Sequence, residues 1–596
     1  MEGNESMTID PGLSTRSGIE LPRGSGMGGG IVPGVFDQAE SMRPTIYGEQ
    51  WAIVGGHPLV SEVGADILRR GGNAVDAGVA AGFASNVVQV QMCNLGGIAP
   101  ILVREGGSSS VYSVAGVGGW GASANLDEIA ARHNGSLPLG GVPSVVPGAV
   151  SGWLTALSEF GTMTLGEIIA AAIELAAEGF ILDPRTASHI ESMAAGYGRW
   201  DSSLAVYQPD GRALRAGERL RQPALAATLR RLAAAAADAT AGGATREAAI
   251  EAAHASFYSE DIAQTICDFV RERGGCLEPA DLAGFRAEVA PAPAVDFGAW
   301  RVHVTPTWSQ GLVIAQALGV LERRGIRDIE SGSVQYAHEV IEALKLAFSE
   351  RERAYGDPRF TSETPDSLLS DAHLSALAAM IGERALPNTP TANQAGPVLP
   401  STTAIVVVDA SGTAFSCSPS DTLDGAPIIP ELGIICSPRG VQSRLVKDHP
   451  NALRPGGRPC VTPASMIALG ARDSVWAAAC PGGDVIVQAI VQAMLQFDVY
   501  GKSPQAAVEA PRLFGSSYPG GFHPHPVGQS LVFLEAGFGS DVAESLTHLG
   551  HRIIDWPANE FDAGSVQTIV RAPTENGTML LAAGADSRRT AYAHAR

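Results

Sequence analysis

The feature that most constrains this chain is a change of texture late in its length. Residues 388–401, "NTPTANQAGPVLPS", carry Pro, Asn and Ala with no period, and they end abruptly at "TTAIVVVDASGTAFSCSPSD". Two β-rich runs flank the turn "DASG", which predicts a hairpin. A loose connection therefore delivers Thr402 to the first position of a buried strand. A Thr so placed can attack the carbonyl of Ser401, rearrange to an ester and, after hydrolysis, become a new N-terminus. Its freed α-amine, with an ordinary pKa of ~7.7–8.0, then takes the hydroxyl proton, and no His–Asp pair is required. Thr is also a good strand former, so "TTAIVVV" reads equally as a plain strand opening.

Acyl chemistry needs donors for an oxyanion, and backbone N–H groups in a Gly turn supply them. "ACPGGDVIVQAIV" has that form: a strand ending at Cys480, then Gly482 and Gly483, then a helix opening near Asp484. A plain strand-to-helix turn looks the same. Ser416, Ser418 and Ser420 alternate along the second run of the hairpin, which puts three hydroxyls on one face. A Ser on that face is placed to orient Thr402.

With 596 residues, 45% of them hydrophobic and 17% charged, the chain can bury a large core without staples. Its net charge of −21 argues against nucleic-acid and anionic-membrane partners and leaves a small molecule as the expected one. The seven cysteines are scattered and never spaced C-x-x-C, so neither a disulfide framework nor a zinc site is expected. Residues 1–45, rich in Gly, Ser and Pro, read as a disordered leader without an apolar run of signal length, which predicts a cytoplasmic protein. The most apolar long region, residues 74–103, is broken by Asp76, Asn86, Gln89, Gln91 and Asn94 and is no membrane span.

Helical periodicity marks "HPLVSEVGADILRR" and "NAVDAGVAAGFASNV" around Gly71–Gly72. It also marks the middle-third segments that begin at Thr164, Pro223, Ser259 and Val334. Strands are expected in "IIPELGIICS", "PASMIALGARDSVWAAACPGG" and "GSVQTIVRAPTENGTMLLAAGAD". Gly116, Gly118 and Gly121 follow a β-like run at G-x-G-x-x-G spacing, but no acidic residue stands ~20 positions on, so a dinucleotide site is not indicated. His523 and His525 have ligand-like spacing yet no third ligand, and His57 and His338 read as structural groups. "ERERAYGDPR" reads as a charged helix end followed by a turn.

Taken in order, these segments resemble the γ-glutamyltransferase family of N-terminal-nucleophile hydrolases. The stretches that carry the resemblance include "VPSVVPGAVSGW", "EALKLAFSERERAYGDPRF", "TTAIVVVDASGTAFS", "PGGDVIVQAIVQAMLQFDVYG" and "GADSRR". The resemblance implies an α+β fold, a four-layer αββα sandwich with an additional helical region in its N-terminal part. It implies self-cleavage between Ser401 and Thr402 into a large subunit (46–401) and a small one (402–596), intertwined as one unit. It assigns the nucleophile to Thr402, the supporting hydroxyl to Ser420 and the oxyanion donors to Gly482 and Gly483.

The chain departs from the γ-glutamyl pattern where that pattern holds an amino-acid head group. The Arg that clamps the substrate carboxylate is replaced by Ala115 or a neighbouring Gly, and Gly or Ala offers no bidentate partner. The acidic position falls near Gln442, the paired serines near Val461 and Thr462, and an Asn near Thr422. Among relatives the pattern is closer to a cytosolic branch that includes an oxamate amidohydrolase. If Trp120 and Trp308 face the pocket, they favour an apolar or planar acyl group, and both read equally as packing aromatics. The expected function is a self-processing threonine amidohydrolase or acylase acting on a small amide that is not γ-glutamyl, without metal or organic cofactor. A γ-glutamyl hydrolase or transferase with altered head-group contacts and a non-enzymatic relative of the same fold stand as alternatives.

Overall fold

The computed structural model describes residues 41–387, 401–421, 423–528 and 530–596. The expected leader, apart from residues 41–45, and the linker up to residue 400 lie outside these.

Two seven-stranded sheets form the centre of the molecule. The strand Ile405–Asp409 lies between Trp51–Gly55 and Ala414–Cys417, antiparallel to both. Tyr592–Ala595 closes one side of that sheet, and Ala99–Arg104, Val111–Gly116 and Val289–Pro291 extend the other. The second sheet runs Ile46–Gly48, Met579–Ala585, Gln567–Pro573, Val475–Ala479, Ser465–Leu469, Trp300–Val304, Ala294–Phe297, also antiparallel throughout.

The run "IVVV" lacks hydrophobic alternation because both its faces are covered. Val406 and Val408 meet Ile467, Ala477 and Ile569 of the facing sheet, whereas Ile405 and Val407 face a helical layer. That layer centres on the helix Ala74–Val88, every residue of which is buried. It starts where Asn73 and Asp76 cap each other reciprocally, Asn73 Oδ1 accepting from the Val75 and Asp76 N–H groups. Outside it pack Leu165–Glu178, Pro223–Ala241 and Arg246–Tyr258, the additional helical region. Gly311–Arg323, Val334–Ala354 and Val485–Met494 cover the second sheet. The architecture is a four-layer αββα sandwich.

The glycine cluster is explained by close backbone approach. A Cβ on Gly116, Gly118 or Gly121 would lie 2.3, 1.8 or 2.2 Å from the carbonyl oxygen of Ala99, Val146 or Cys276. These residues hold sheet and connections together, and no nucleotide turn forms there. The described cysteines are all free, and only Cys276 is partly exposed.

Candidate functional site

Antiparallel register places the candidate nucleophile. Ile405 pairs with Cys417, and the ladder continues past the strand ends through the Thr403 N–H, which donates to the Pro419 carbonyl at 3.0 Å. Thr402 therefore faces Ser420, with Oγ1 and Oγ 2.8 Å apart. Both hydroxyls also reach the carbonyl oxygen of Ser401, Ser420 Oγ at 2.8 Å and Thr402 Oγ1 in a shorter contact. All three residues are buried. The other members of the Ser series act elsewhere: Ser416 and Ser418 donate to the Ala478 and Ala464 carbonyls at 2.9 Å, stitching the two sheets together.

Sequence reasoning missed Arg439. Its guanidinium donates to Ser420 Oγ through Nη2, to Asp421 through Nε, and to Gln442 Oε1 through Nη1 at 3.1 Å. Asp421 also accepts from Ser437 Oγ at 2.6 Å. Burial pushes the Asp421 carboxyl up, against the pull of Arg439 and Ser437. Gln442 passes the connection to Thr462, its Nε2 donating to Oγ1 at 3.2 Å. The signal in the sequence was a lone Arg inside the apolar run "GIICSPRGV", a charge that burial obliges to find partners.

Ala115 and Trp120 do not border the cavity that holds Thr402. Ala115 sits in a small apolar cluster with Ile98, Val117, Trp308 and Val461. Trp120 is buried against Gly440, with its indole N–H donating to Ser443 Oγ at 3.0 Å. Of the two readings for Trp120 and Trp308, the structure shows packing aromatics: their rings fill space behind the Arg439 turn and beside Ala115. Thr422 lies outside the described residues.

Gly482 and Gly483 occupy the turn between the strand Val475–Ala479 and the helix Val485–Met494, with φ of +133° and +65°. Only glycine adopts such a pair without strain. Among the described residues no hydrogen bond takes up either N–H. The turn is held from below by the segment that read as a charged helix end. Arg351 is buried there, its Nη1 donating to Asp484 Oδ1 at 2.6 Å and to Gln310 Oε1 at 2.9 Å. Gln310 Nε2 in turn donates to the Gly483 carbonyl at 2.9 Å. Arg351, Arg444 and His449 surround Glu352. Burial alone would raise the Glu352 carboxyl, but these neighbours hold it at about 2. The segment "ERERAYGDPR" does close the helix Val334–Ala354 as a charged helix end, and pairing lets Arg351 and Glu352 sit under the turn.

Two cavities border this segment, one at Pro481 and one at Gly482 and Gly483. Thr402, Thr403, Gln89, Pro481, Phe561 and Arg589 border one. The other, about 320 Å³, runs from Gly482 and Gly483 to Tyr518, Phe522, Phe514, Phe533 and Trp556. Its aromatic floor is a cluster, with Phe514 stacked on Trp556 at 6.0 Å and Phe533 at 5.0 Å from Trp556. Phe522 also lies under Arg439, 5.3 Å from the guanidinium carbon to the ring centre, so the two sides of the site touch.

His338, Glu342 and His551 form a metal-like triplet among the described residues. The Lys345 ammonium already sits 2.7 Å from Glu342, and His338 bonds the Gly382 carbonyl, so cation and ring are taken by the protein itself. His523 and His525 bond Ser136 and the carbonyls of Gly520 and Ser443. His57 caps the helix Pro58–Arg69 through Nδ1.

The family profile described as Gamma-glutamyltranspeptidase matches residues 60–595. The chain is 30% identical over 565 residues to the Acylase ACY 1 proenzyme of Pseudomonas sp. (strain SE83), covering 93% of this chain and 95% of that protein. It is 27% identical to the Glutathione hydrolase proenzyme of Bacillus subtilis (strain 168), covering 89% of each. Among solved structures, the cephalosporin acylase from Bacillus halodurans superposes with a TM-score of 0.81 at 28% identity, over 94% of this chain and 99% of that one.

Proposed function

We infer the reaction of this chain from the family to which it belongs, the gamma-glutamyltranspeptidases, whose relatives here are acylase and glutathione hydrolase proenzymes. It is an amidohydrolase, and in our proposal it matures by cutting itself before Thr402. Thr402 Oγ adds to the Ser401 carbonyl carbon, and the Ser401–Thr402 C–N bond breaks to leave an ester and a free α-amine. Water then hydrolyses the ester, releasing the Ser401 carboxylate. The convergence of the Thr402 and Ser420 hydroxyls on the Ser401 carbonyl is the single observation that carries this proposal.

In the mature enzyme the α-amine of Thr402 takes the proton of its own hydroxyl, and Oγ attacks the amide carbon. The Gly482 and Gly483 N–H groups hold the tetrahedral oxyanion. The amine passes its proton to the leaving nitrogen, and water releases the acyl group. Ser420, oriented by Arg439, keeps Thr402 Oγ aimed during both reactions.

The substrate in this proposal is a small amide that is not γ-glutamyl. Arg439 and Gln442 occupy the head-group side, and their buried bonds to Asp421, Ser420 and Thr462 leave no acid there free to meet a substrate ammonium. The aromatic cavity beside Gly482 and Gly483 suits an apolar planar group. Purified enzyme assayed with phenylacetyl-p-nitroanilide and γ-glutamyl-p-nitroanilide tests this. We expect the apolar anilide to have the higher kcat/KM. A preference of 10-fold or more for the γ-glutamyl anilide would instead mean that the head group is held by other residues.

A further inference from the structure

The cavity at Thr402 is small, about 20 Å³. One water needs ~10–15 Å³ and two to four polar partners, so a water fits there and an arm of an amide does not. Part of the lining is already paired. Thr403 Oγ1 donates to Gln89 Oε1 at 2.7 Å, while Gln89 Nε2 and Thr590 Oγ1 donate to the Gly56 carbonyl at 3.2 and 2.7 Å. Asp183 stands against the Thr186 and Arg185 side, its Oδ1 accepting from their backbone N–H groups at 3.1 and 2.9 Å and its Oδ2 lying 3.4 Å from His57 Nε2.

The atoms left over are of both kinds. Gln91 Oε1 and Gln567 Oε1 are buried acceptors without a partner among the described residues, and Arg589 Nη1 and Nη2 are buried donors without one. The far sides of two of these groups are tied down: Gln567 Nε2 donates to Ser565 Oγ at 3.2 Å, and Arg589 Nε to the Phe561 carbonyl at 3.2 Å. Folded proteins pair the great majority of their buried polar atoms, so the set marks a place for a polar molecule. An anion cannot face two amide oxygens, and an ammonium cannot face a guanidinium. Water donates to the first and accepts from the second.

We propose that this cavity seats the hydrolytic water, held by Gln91, Gln567 and Arg589 beside Thr402. This rests on Thr402 as the nucleophile. Arg589 donates to one lone pair of the water, and the amide oxygens share one of its O–H groups. The other lone pair adds to the ester carbon on Thr402 Oγ, and the second O–H gives its proton to the Thr402 α-amine. The bond from that carbon to Oγ then breaks, and the amine returns the proton to Oγ. The same step resolves the Ser401 ester in self-cleavage and the acyl group in turnover. An acceptor amine larger than water has no room in the cavity, so these three side chains set hydrolysis above acyl transfer.

The test separates the two halves of each reaction. In the full chain, Gln91→Leu and Gln567→Leu should each slow ester hydrolysis by about 10-fold relative to ester formation, as for one hydrogen bond lost to the reacting water. The ester then accumulates. Hydroxylamine at neutral pH should split it into a chain ending in a Ser401 hydroxamate and one beginning at Thr402, both read by intact mass. Matured variants given phenylacetyl-p-nitroanilide should release a burst of p-nitroaniline before a slower steady rate, with the acyl group on the Thr402 fragment. Gln567→Glu keeps an acceptor and should recover part of the rate. A wild-type ratio of the two steps in both Leu variants, or slower ester formation with no trapped ester, would overturn the water site and leave the threonine mechanism standing. A crystal structure of the uncut Thr402→Ala chain gives a readout independent of these variants. An ordered water within hydrogen-bond distance of Gln567 Oε1 and Arg589 supports the site, and none there overturns it. A wild type that neither cuts itself nor yields to hydroxylamine would remove the nucleophile, and the water site with it.

Discussion

At the scale of single residues, the account depends on a few buried polar contacts. Ser420 touches both Thr402 Oγ1 and the Ser401 carbonyl, so Ser420→Ala should slow self-cleavage by about 10- to 100-fold, read as the half-time for loss of the uncut chain on gels. Arg439 is the buried partner of Asp421. Arg439→Met strands that carboxyl and should cost about 3–5 kcal/mol in urea unfolding, whereas the double change with Asp421→Asn should recover much of the loss. Arg439 was not read from the sequence as a site residue, although its lone charge in an apolar run pointed to a buried partner. Its importance comes from where separate segments converge on its three nitrogens, and that convergence has no spacing.

At the scale of elements, more could be read in advance. The capped helices Pro58–Arg69 and Ala74–Val88, the "DASG" hairpin and the strand–turn–helix at Gly482–Gly483 all followed from period, caps and turn residues. The charged helix end at "ERERAYGDPR" was read too, but not its role, because its charges look solvated until Arg351, Glu352, Arg444 and Asp484 are seen together. This network has a pH signature. The Glu352 carboxyl titrates at about 2 in the folded chain against an ordinary 4.5, so between those values the unfolded chain binds more protons. Its contribution to stability is complete above pH 4.5 and is lost as pH falls towards 2. Thermal unfolding should therefore show a fall in Tm across that window, and Glu352→Gln should flatten the fall. An unchanged slope in the variant would remove Glu352 as its origin.

At the scale of the whole molecule, the ladder crosses the proposed cut repeatedly. Ile405–Asp409 and Ala414–Cys417, from beyond Thr402, are flanked by Trp51–Gly55 and Ala99–Arg104, from before it. Cutting between Ser401 and Thr402 breaks no ladder bond in these strands. The two pieces should co-elute on size exclusion and separate only in denaturant. The sandwich was legible as a family resemblance because the order of segments spans nearly the whole chain. The aromatic cavity was not, since it draws on Phe514, Phe522, Phe533 and Trp556, which no sequence period links.

The central claim is that Thr402 cuts the chain and then works as its nucleophile, and the intact mass of the purified protein beside Thr402→Ala tests it most directly. The account predicts two masses in the wild type, with the new N-terminus at Thr402, and one uncut chain in the variant. A wild type that stays whole after long incubation, or a Thr402→Ala chain cut at the same bond, would contradict it.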